Sequence, residues 1–339
     1  MSHALILKKL YEAQDLTFAE ARLLIGEIMS GALEPAQIAG ILVALKIKGE
    51  TPAEIGGAAR ALQEAAVRVP TVRERVVDTC GTGGDNQHSF NISTAAALVL
   101  AAAGLAVAKH GNRAVSSRAG SADVLEALGV NIELGPAANG KLLDELGICF
   151  LYAPRYHPAM KAVMPIRQAL ATRTLFNLIG PLSNPLRPYA QVLGVYSEAL
   201  LEPIAQALLD MGCERAFVVH GAGMDELALH GPTHIIALEG GGLRGLEVSP
   251  EALGLEPAAA ADLTGGTAAE NAALLREVLG GRDRGPRARA VAINAAAGLV
   301  LTGAEDDWAA AARRALELMA AGEPLRLLER WVEASRDLK

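Results

Sequence analysis

Residues 76–118 read VVDTCGTGGDNQHSFNISTAAALVLAAAGLAVAKHGNRAVSSR, and the order of residue types along this stretch decides the fold. The apolar pair Val76-Val77 ends a short strand. Gly81-Thr82-Gly83-Gly84-Asp85 follows as a loop with almost no side-chain bulk, which leaves its backbone N–H groups bare. Asn91-Ile92-Ser93-Thr94 then caps an Ala- and Leu-rich helix that runs to Gly104. A second strand, Leu105 to Ala108, delivers Lys109-His110-Gly111-Asn112-Arg113 at its C-terminal end. Strand, loop, helix and strand in this order build a parallel sheet, and such sheets bind ligands beyond the carboxyl ends of their strands. Bare amides, the positive end of a helix dipole and a pair of cations converge on that edge, which predicts a site for a phosphorylated small molecule.

On the N-terminal side, residues 1–70 carry helix signals only. Thr17-Phe-Ala-Glu20 and Thr51-Pro-Ala-Glu54 are capping boxes, the second with proline at the first helical position. Pro35 opens another helix after Gly31 has closed the one before it, and Ile38, Ile41, Leu42 and Leu45 recur at helical spacing. Four short helices without a strand predict a small helical domain, linked through Val69-Pro70-Thr71 to a second domain over residues 71–339. The apolar faces of the N-terminal helices serve equally well as a core or as a partner surface.

On the C-terminal side strand and helix alternate. Ser121 caps a helix from Ala122 to Leu128, a second helix covers about Asn139 to Leu146, and Ile148 to Tyr152 is a buried strand. Ala153 to Pro185 breaks the rhythm: it is rich in Pro, Asn and Arg, with one helix near Val163 to Ala171. The stretch 160–188 is therefore expected to cross back to the helical domain and line the cleft between the two. A strand at Gln191–Tyr196, a helix at Leu200–Met211 and a strand at Ala216–His220 follow. His234–Leu238 and Gly245–Val248 form an antiparallel pair, and helices begin near Thr267. The fold class is α/β: a small all-helical N-terminal domain plus a larger α/β domain with a central, mostly parallel sheet flanked by helices.

Composition agrees. At 339 residues the chain can bury two cores, and 51% hydrophobic with 4% aromatic residues favours Ala/Leu helices packed on a sheet. A net charge of −7 argues against a nucleic-acid partner. Three scattered cysteines, Cys80, Cys149 and Cys213, suit reduced thiols in the cytoplasm. The uncharged run Phe90–Ala108 is interrupted by Asn91, Ser93, Thr94 and Gly104, so a buried helix plus strand explains it better than a membrane span, and a soluble protein is expected.

The glycine loop lacks the Gly-Lys-Ser/Thr ending of a Walker loop and the GxGxxG spacing of a dinucleotide fold. Asp85 inside it would repel a phosphate, so it needs a different role, such as accepting from ribose hydroxyls, holding a metal-bound water, or orienting Lys109. A plain N-cap is the alternative. Lys109, His110, Asn112 and Arg113 are ligand groups if the strand end faces a cleft, and a solvated loop if it does not. Arg167, near His157 in the irregular segment, is suited to a substrate carboxylate because its fork binds bidentately; Arg155 and Arg173 offer the same chemistry. Asp225 and Glu226, on a loop after a strand, are oxygen ligands suited to Mg²⁺, or ordinary surface acids. Cys80 has no base beside it in sequence and is read as a packing residue.

Asp78-Thr-Cys-Gly-Thr-Gly-Gly-Asp85, Asn91-Ile-Ser-Thr94, Lys109-His-Gly-Asn-Arg-Ala-Val-Ser-Ser117 and Gly120-Ser-Ala-Asp123 closely resemble the anthranilate phosphoribosyltransferases. So do Met164-Pro-Ile-Arg167, Phe176-Asn-Leu-Ile-Gly-Pro-Leu-Ser-Asn-Pro185 and Asp225-Glu226, in the family's order over essentially the whole chain. The resemblance implies transfer of the 5-phosphoribosyl group from phosphoribosyl pyrophosphate (PRPP) to anthranilate in tryptophan biosynthesis. It implies that Gly81, Thr82, Gly83, Gly84, Asp85, Asn91, Ser93, Thr94, Lys109 and Ser121 hold PRPP. Gly81, His110, Asn112, His157 and Arg167 would meet anthranilate, with Arg167 at its carboxylate. Ser93, Asp225 and Glu226 would hold Mg²⁺, two ions per subunit. The family's homodimers imply a contact through the N-terminal helices, by residues such as Leu5, Leu10 and Leu42. Two rivals share the fold: a pyrimidine nucleoside phosphorylase, whose glycine loop follows a different pattern, and a nucleic-acid-binding relative, which the net charge and the intact acid pair oppose.

Overall fold

Capping sets two of the first four helices. In the computed structural model the described residues are 3–114 and 118–338, so Val115 to Ser117 of the lysine-led motif lie outside them. Helices α1 (His3–Tyr11), α2 (Phe18–Ser30), α3 (Pro35–Lys48) and α4 (Pro52–Glu64) form the N-terminal bundle. Both expected capping boxes close. Thr17 Oγ1 accepts the Glu20 N–H at 3.3 Å while Glu20 accepts the Thr17 N–H at 2.9 Å, and Thr51 and Glu54 do the same at 3.3 and 2.8 Å. Leu10 and Leu42, expected at a partner surface, are instead buried in the bundle core; among the described residues of these helices the exposed large apolar side chains are Leu5, Tyr11, Leu23 and Ile47.

The larger part alternates as expected. It contains β1 (Val77–Gly81), α5 (Ile92–Ala102), β2 (Val107–Gly111), α6 (Ser121–Leu128), α7 (Pro136–Leu146), β3 (Ile148–Tyr152), α8 (Ala153–Tyr156), α9 (Met164–Leu170), α10 (Leu175–Ile179) and β4 (Ala190–Gly194). After these come α11 (Leu201–Asp210), β5 (Arg215–Gly221), β6 (Thr233–Glu239), β7 (Gly242–Val248), α12 (Ala268–Leu279), α13 (Pro286–Thr302), α14 (Trp308–Ala320) and α15 (Glu323–Asp337). One seven-stranded sheet has the order β3-β2-β1-β4-β5-β6-β7. Strands β1 to β5 pair in parallel, and β6 and β7 add antiparallel. The chain leaves β1 towards β3, then returns to β4 on the other side of β1. The ends of β1 and β4 are thus the switch point, where crossover loops diverge and leave a crevice.

Several strand boundaries differ from expectation, and two of them bear on the site. β1 starts at Val77 rather than ending there, and its ladder with β4 runs from Val77↔Ala190 to Gly81↔Gly194. β2 likewise takes in Lys109, His110 and Gly111, paired with Phe150, Leu151 and Tyr152. Polar side chains are tolerated here because each finds a buried partner, which apolar patterning cannot reveal. Ser121 is the first residue of α6 rather than its cap; Gly120 holds the cap position, its N–H donating to the Asp123 carboxylate at 2.9 Å.

The two faces of the sheet feed two cores. Val192 points into one, with Leu98 and Leu100 of α5, Ile293 of α13 and Trp331 of α15. Its neighbour Leu193 points into the other, with Ile204 and Leu208 of α11, Ile41 and Leu42 of α3, and Phe176 of α10. The bundle therefore shares a core with the sheet. At Gly56 a Cβ would come within 3.1 Å of the Ala207 carbonyl, so α4 lies directly against α11.

Candidate active site

The crevice is built from backbone first. The Thr82 N–H donates to the Gly194 carbonyl at 2.9 Å, and Thr82 Oγ1 accepts the Tyr196 N–H at 3.1 Å, which turns the glycine loop over the end of β4. A Cβ on Gly194 would overlap the Asp225 carbonyl, so glycine there lets the loop after β5 approach. Gly83 and Gly84 adopt φ of 66° and 81°, a conformation glycine takes at little cost. The Gly83 N–H donates to Asp225 Oδ2 at 2.6 Å. Asp85 accepts from the Gln87 N–H at 3.1 Å and the Asp225 N–H at 3.3 Å. It touches the acidic loop and makes no bond to Lys109 among the described residues, so of its three suggested roles the orienting of that lysine is not seen.

Glu226 Oε1 accepts the Ser93 N–H at 3.1 Å in the first turn of α5. Burial pushes the Asp225 carboxyl up, with the charge of Asp85 adding to it, and burial followed by Asp225 does the same to Glu226. Lys109 is buried; its ammonium donates to the Thr79 carbonyl and reaches Ser93 Oγ at 3.3 Å. Thr94 is buried with its hydroxyl unpartnered. Asn91 bridges the Ala119 carbonyl (3.2 Å) and the Asn271 amide (2.9 Å), and Ser121 Oγ donates to the Asn112 carbonyl at 3.4 Å.

The donors fit Mg²⁺. Asp225, Glu226 and Ser93 offer hard oxygen ligands, and a dication relieves the mutual repulsion of the acids. Among the described residues no three His, Cys, Asp or Glu side chains form a cage of their own. That matches an ion held by one or two carboxylates and completed by substrate oxygens and water.

The other half of the crevice is built around a buried histidine pair. His110 and His157 meet through their Nε2 atoms at 3.2 Å, with rings edge to face. Burial pushes His157 down to about 4 and, with His157 beside it, His110 well below the usual imidazole value. Behind them Asp78, fully buried, accepts from the His110 N–H at 3.3 Å and Asn184 Nδ2 at 2.9 Å; burial pushes its carboxyl up to about 6. Asn112 is exposed and accepts the Arg113 N–H at 2.8 Å. Arg113 itself is paired with Asp123 (3.1 Å) and Glu126 (2.8 Å), which makes its role structural.

The three arginines of the irregular segment now separate. Arg155 lies 3.8 Å from Glu133. Arg173 donates to the Gly84 carbonyl at 2.7 Å and lies over the Tyr196 ring at 4.1 Å, while its own carbonyl accepts Lys46 Nζ at 2.8 Å. Arg167 is half-buried on α9, 5.7 Å over the Phe176 ring, and no carboxylate among the described residues pairs with it. Burial lowers its pKa from the usual guanidinium value. Sequence alone does not mark Asp78, Asn184 and Tyr196 as site residues; the signals are the position of Asp78 at the head of the glycine motif and that of Asn184 inside the Phe176–Pro185 motif.

Two family models divide the chain: the helical bundle domain of a glycosyl transferase family matches residues 4–66, and the a/b domain of that family matches residues 73–325. An anthranilate phosphoribosyltransferase of Idiomarina loihiensis is 48% identical over 328 residues, covering 97% of each chain. That of Anaeromyxobacter dehalogenans is 50% identical over 323 residues, 94% of this chain and 96% of the other. Among solved structures, anthranilate phosphoribosyltransferase of Thermus thermophilus superposes with a TM-score of 0.93 at 46% identity, covering 98% of this chain and 99% of that one. The enzyme of Saccharomyces cerevisiae, solved with PRPP and Mg, gives 0.90 at 28% identity over 99% and 98%.

Proposed function

The chain belongs to the anthranilate phosphoribosyltransferase family, and on that premise we propose how its residues share the reaction. It transfers the 5-phosphoribosyl group of PRPP to the amino group of anthranilate, releasing pyrophosphate, a step of tryptophan biosynthesis that uses Mg²⁺. The glycine loop, Gly81 to Asp85, with Asn91, Ser93, Thr94, Lys109 and Ser121, takes PRPP. Asp225, Glu226 and Ser93 hold Mg²⁺, two ions per subunit. Gly81, His110, Asn112, His157 and Arg167 take anthranilate. Residues 1–70 with the crossing at 160–188 form one wall of the cleft, and residues 71–339 form the other.

The supporting observation is the division of the crevice. One side presents loop amides, crowded acids and Lys109, all suited to a metal-carrying diphosphate. The other presents a neutral histidine pair and a half-buried arginine without an acid, suited to an aromatic carboxylate. Bound Mg²⁺ supplies positive charge against which pyrophosphate builds negative charge as it leaves. Loop amides and Lys109 take the remaining charge from fixed positions, so little reorganisation is needed. Arg167 fixes the anthranilate carboxylate and thereby aims the amine at the anomeric carbon. That amine is neutral with a free lone pair, so the chemistry needs orientation more than a general base, in keeping with histidines held neutral by burial.

Exposed Leu5, Tyr11, Leu23 and Ile47 support a homodimer through the bundle. Among the described residues no helix is long and apolar enough to cross a membrane. Three free cysteines suit a reducing compartment, and we place the enzyme in the cytoplasm. Loss of anthranilate fluorescence on mixing the protein with PRPP and Mg²⁺ tests the reading, and a signal that stays constant refutes it.

A further inference from the structure

We propose that Asp225 acts as an internal anion in the glycine loop and so sets its specificity: the loop accepts phosphates that carry a divalent cation and rejects free ones. The inference rests on the reading of Asp225 and Glu226 as Mg²⁺ ligands. Its starting point is a bond already made. The Gly83 N–H, which a phosphate needs, donates to Asp225 Oδ2 at 2.6 Å.

Two close approaches deliver the carboxylate to that position. At Gly194 the absence of a side chain admits the Asp225 carbonyl, and at Gly81 a Cβ would come within 3.0 Å of Asp225 Cγ. Asp85 holds the far side, accepting the Asp225 N–H at 3.3 Å, and Gln87 Nε2 ties the same loop through the Gly223 carbonyl at 3.2 Å. The two loops are thus locked in a geometry that fills the loop with the protein's own oxygen.

A free phosphate or sulfate arriving here meets an amide already engaged and the carboxylates of Asp225, Glu226 and Asp85 around it. Both terms oppose binding. A polyphosphate that brings its own cation reverses both. The cation offers Asp225 a better partner than an amide, the carboxylate swings off Gly83, and the freed N–H passes to a phosphate oxygen. No covalent bond changes; one acceptor replaces another on the same donor. The specificity is repulsive towards the wrong ligand as well as attractive towards the right one.

Titration calorimetry with pyrophosphate, once in EDTA and once with Mg²⁺, tests this on wild type, Asp225→Ala and Asp225→Asn. In EDTA the alanine variant is expected to bind pyrophosphate about tenfold more tightly than wild type, the gain of one freed charge-assisted bond position. The asparagine variant keeps an oxygen acceptor without the charge and should fall between them. With Mg²⁺ the order should invert, with wild type tightest. The Gly83 amide proton resonance gives a second readout without ligand or metal: it should move upfield in Asp225→Ala. A natively folded alanine variant that binds metal-free pyrophosphate no better than wild type overturns the proposal, even if its Mg²⁺-dependent binding collapses, which would leave the metal assignment standing. A gain in EDTA with unchanged Mg²⁺ binding would support the internal anion and remove the metal assignment.

Discussion

Replacing Arg167 by alanine separates binding of one substrate from that of the other, and from folding. Arg167 makes no ion pair among the described residues; its contacts are the Phe176 ring at 5.7 Å and Met164 Sδ at 3.8 Å. A cation over a ring at that range contributes about 0.5–1 kcal/mol, and relief of a half-buried charge offsets part of it. The melting temperature should therefore shift by no more than about 4 °C. A substrate carboxylate held by the guanidinium fork is a different matter. Loss of a hydrogen bond to a charged group costs about 1.5–3 kcal/mol, which is roughly a 10- to 150-fold rise in KM for anthranilate. KM for PRPP should stay nearly constant, because the glycine loop and acid pair lie on the other side of the crevice. Arg167→Lys should restore part of the loss, since an ammonium lacks the planar fork. Steady-state kinetics with each substrate varied in turn decides the matter. A variant that loses PRPP affinity and keeps anthranilate affinity would show the two halves of the site to be exchanged.

Asp225→Ala combined with Glu226→Ala should reduce turnover at limiting Mg²⁺ by roughly a hundredfold or more while leaving circular dichroism native; unchanged turnover removes the metal assignment. Asp78→Asn probes a pH window. Because burial raises the folded Asp78 carboxyl to about 6, the unfolded chain gives up its proton first. Wild-type stability relative to the variant should therefore fall as pH rises from about 4 to about 6 and level off above; a constant difference in melting temperature across that window contradicts the burial argument. Ile47→Glu and Leu23→Glu, placed on exposed bundle positions, should shift the protein from dimer to monomer in light scattering with little change in melting temperature. A wild type that is already monomeric at micromolar concentration refutes the dimer.

Much of the frame is written locally. The capping boxes at Thr17 and Thr51, the glycines at 81, 83 and 84, and the apolar runs of the strands each act over a few residues, so pattern alone finds them. What pattern cannot find are partners brought together across the fold. Asp78 and Lys109 look like loop residues until Asn184, 106 positions from Asp78, and the Thr79 carbonyl are seen to satisfy them within strands. The same holds among the arginines. Arg113 and Arg167 are equally good ligand candidates in a string of letters, and only Asp123 and Glu126 beside the first mark it as engaged. Leu10 and Leu42 mislead for a related reason: a helical stripe shows that a face is covered, not by what.

The core shared by α3, α10, α11 and the second face of the sheet bears on how such chains can be recombined. The two family models part between residues 66 and 73, at a seam in sequence. No seam in packing lies there. A chimera that exchanged only residues 4–66 with a relative would set a foreign surface against Ile204, Leu208 and Phe176, and a side chain introduced at Gly56 would crowd the Ala207 carbonyl. A viable graft has to carry α10 and α11 with it. Drift in the bundle is likewise tied to drift in a helix more than 130 positions away, so the inherited unit is the contact between them rather than either segment.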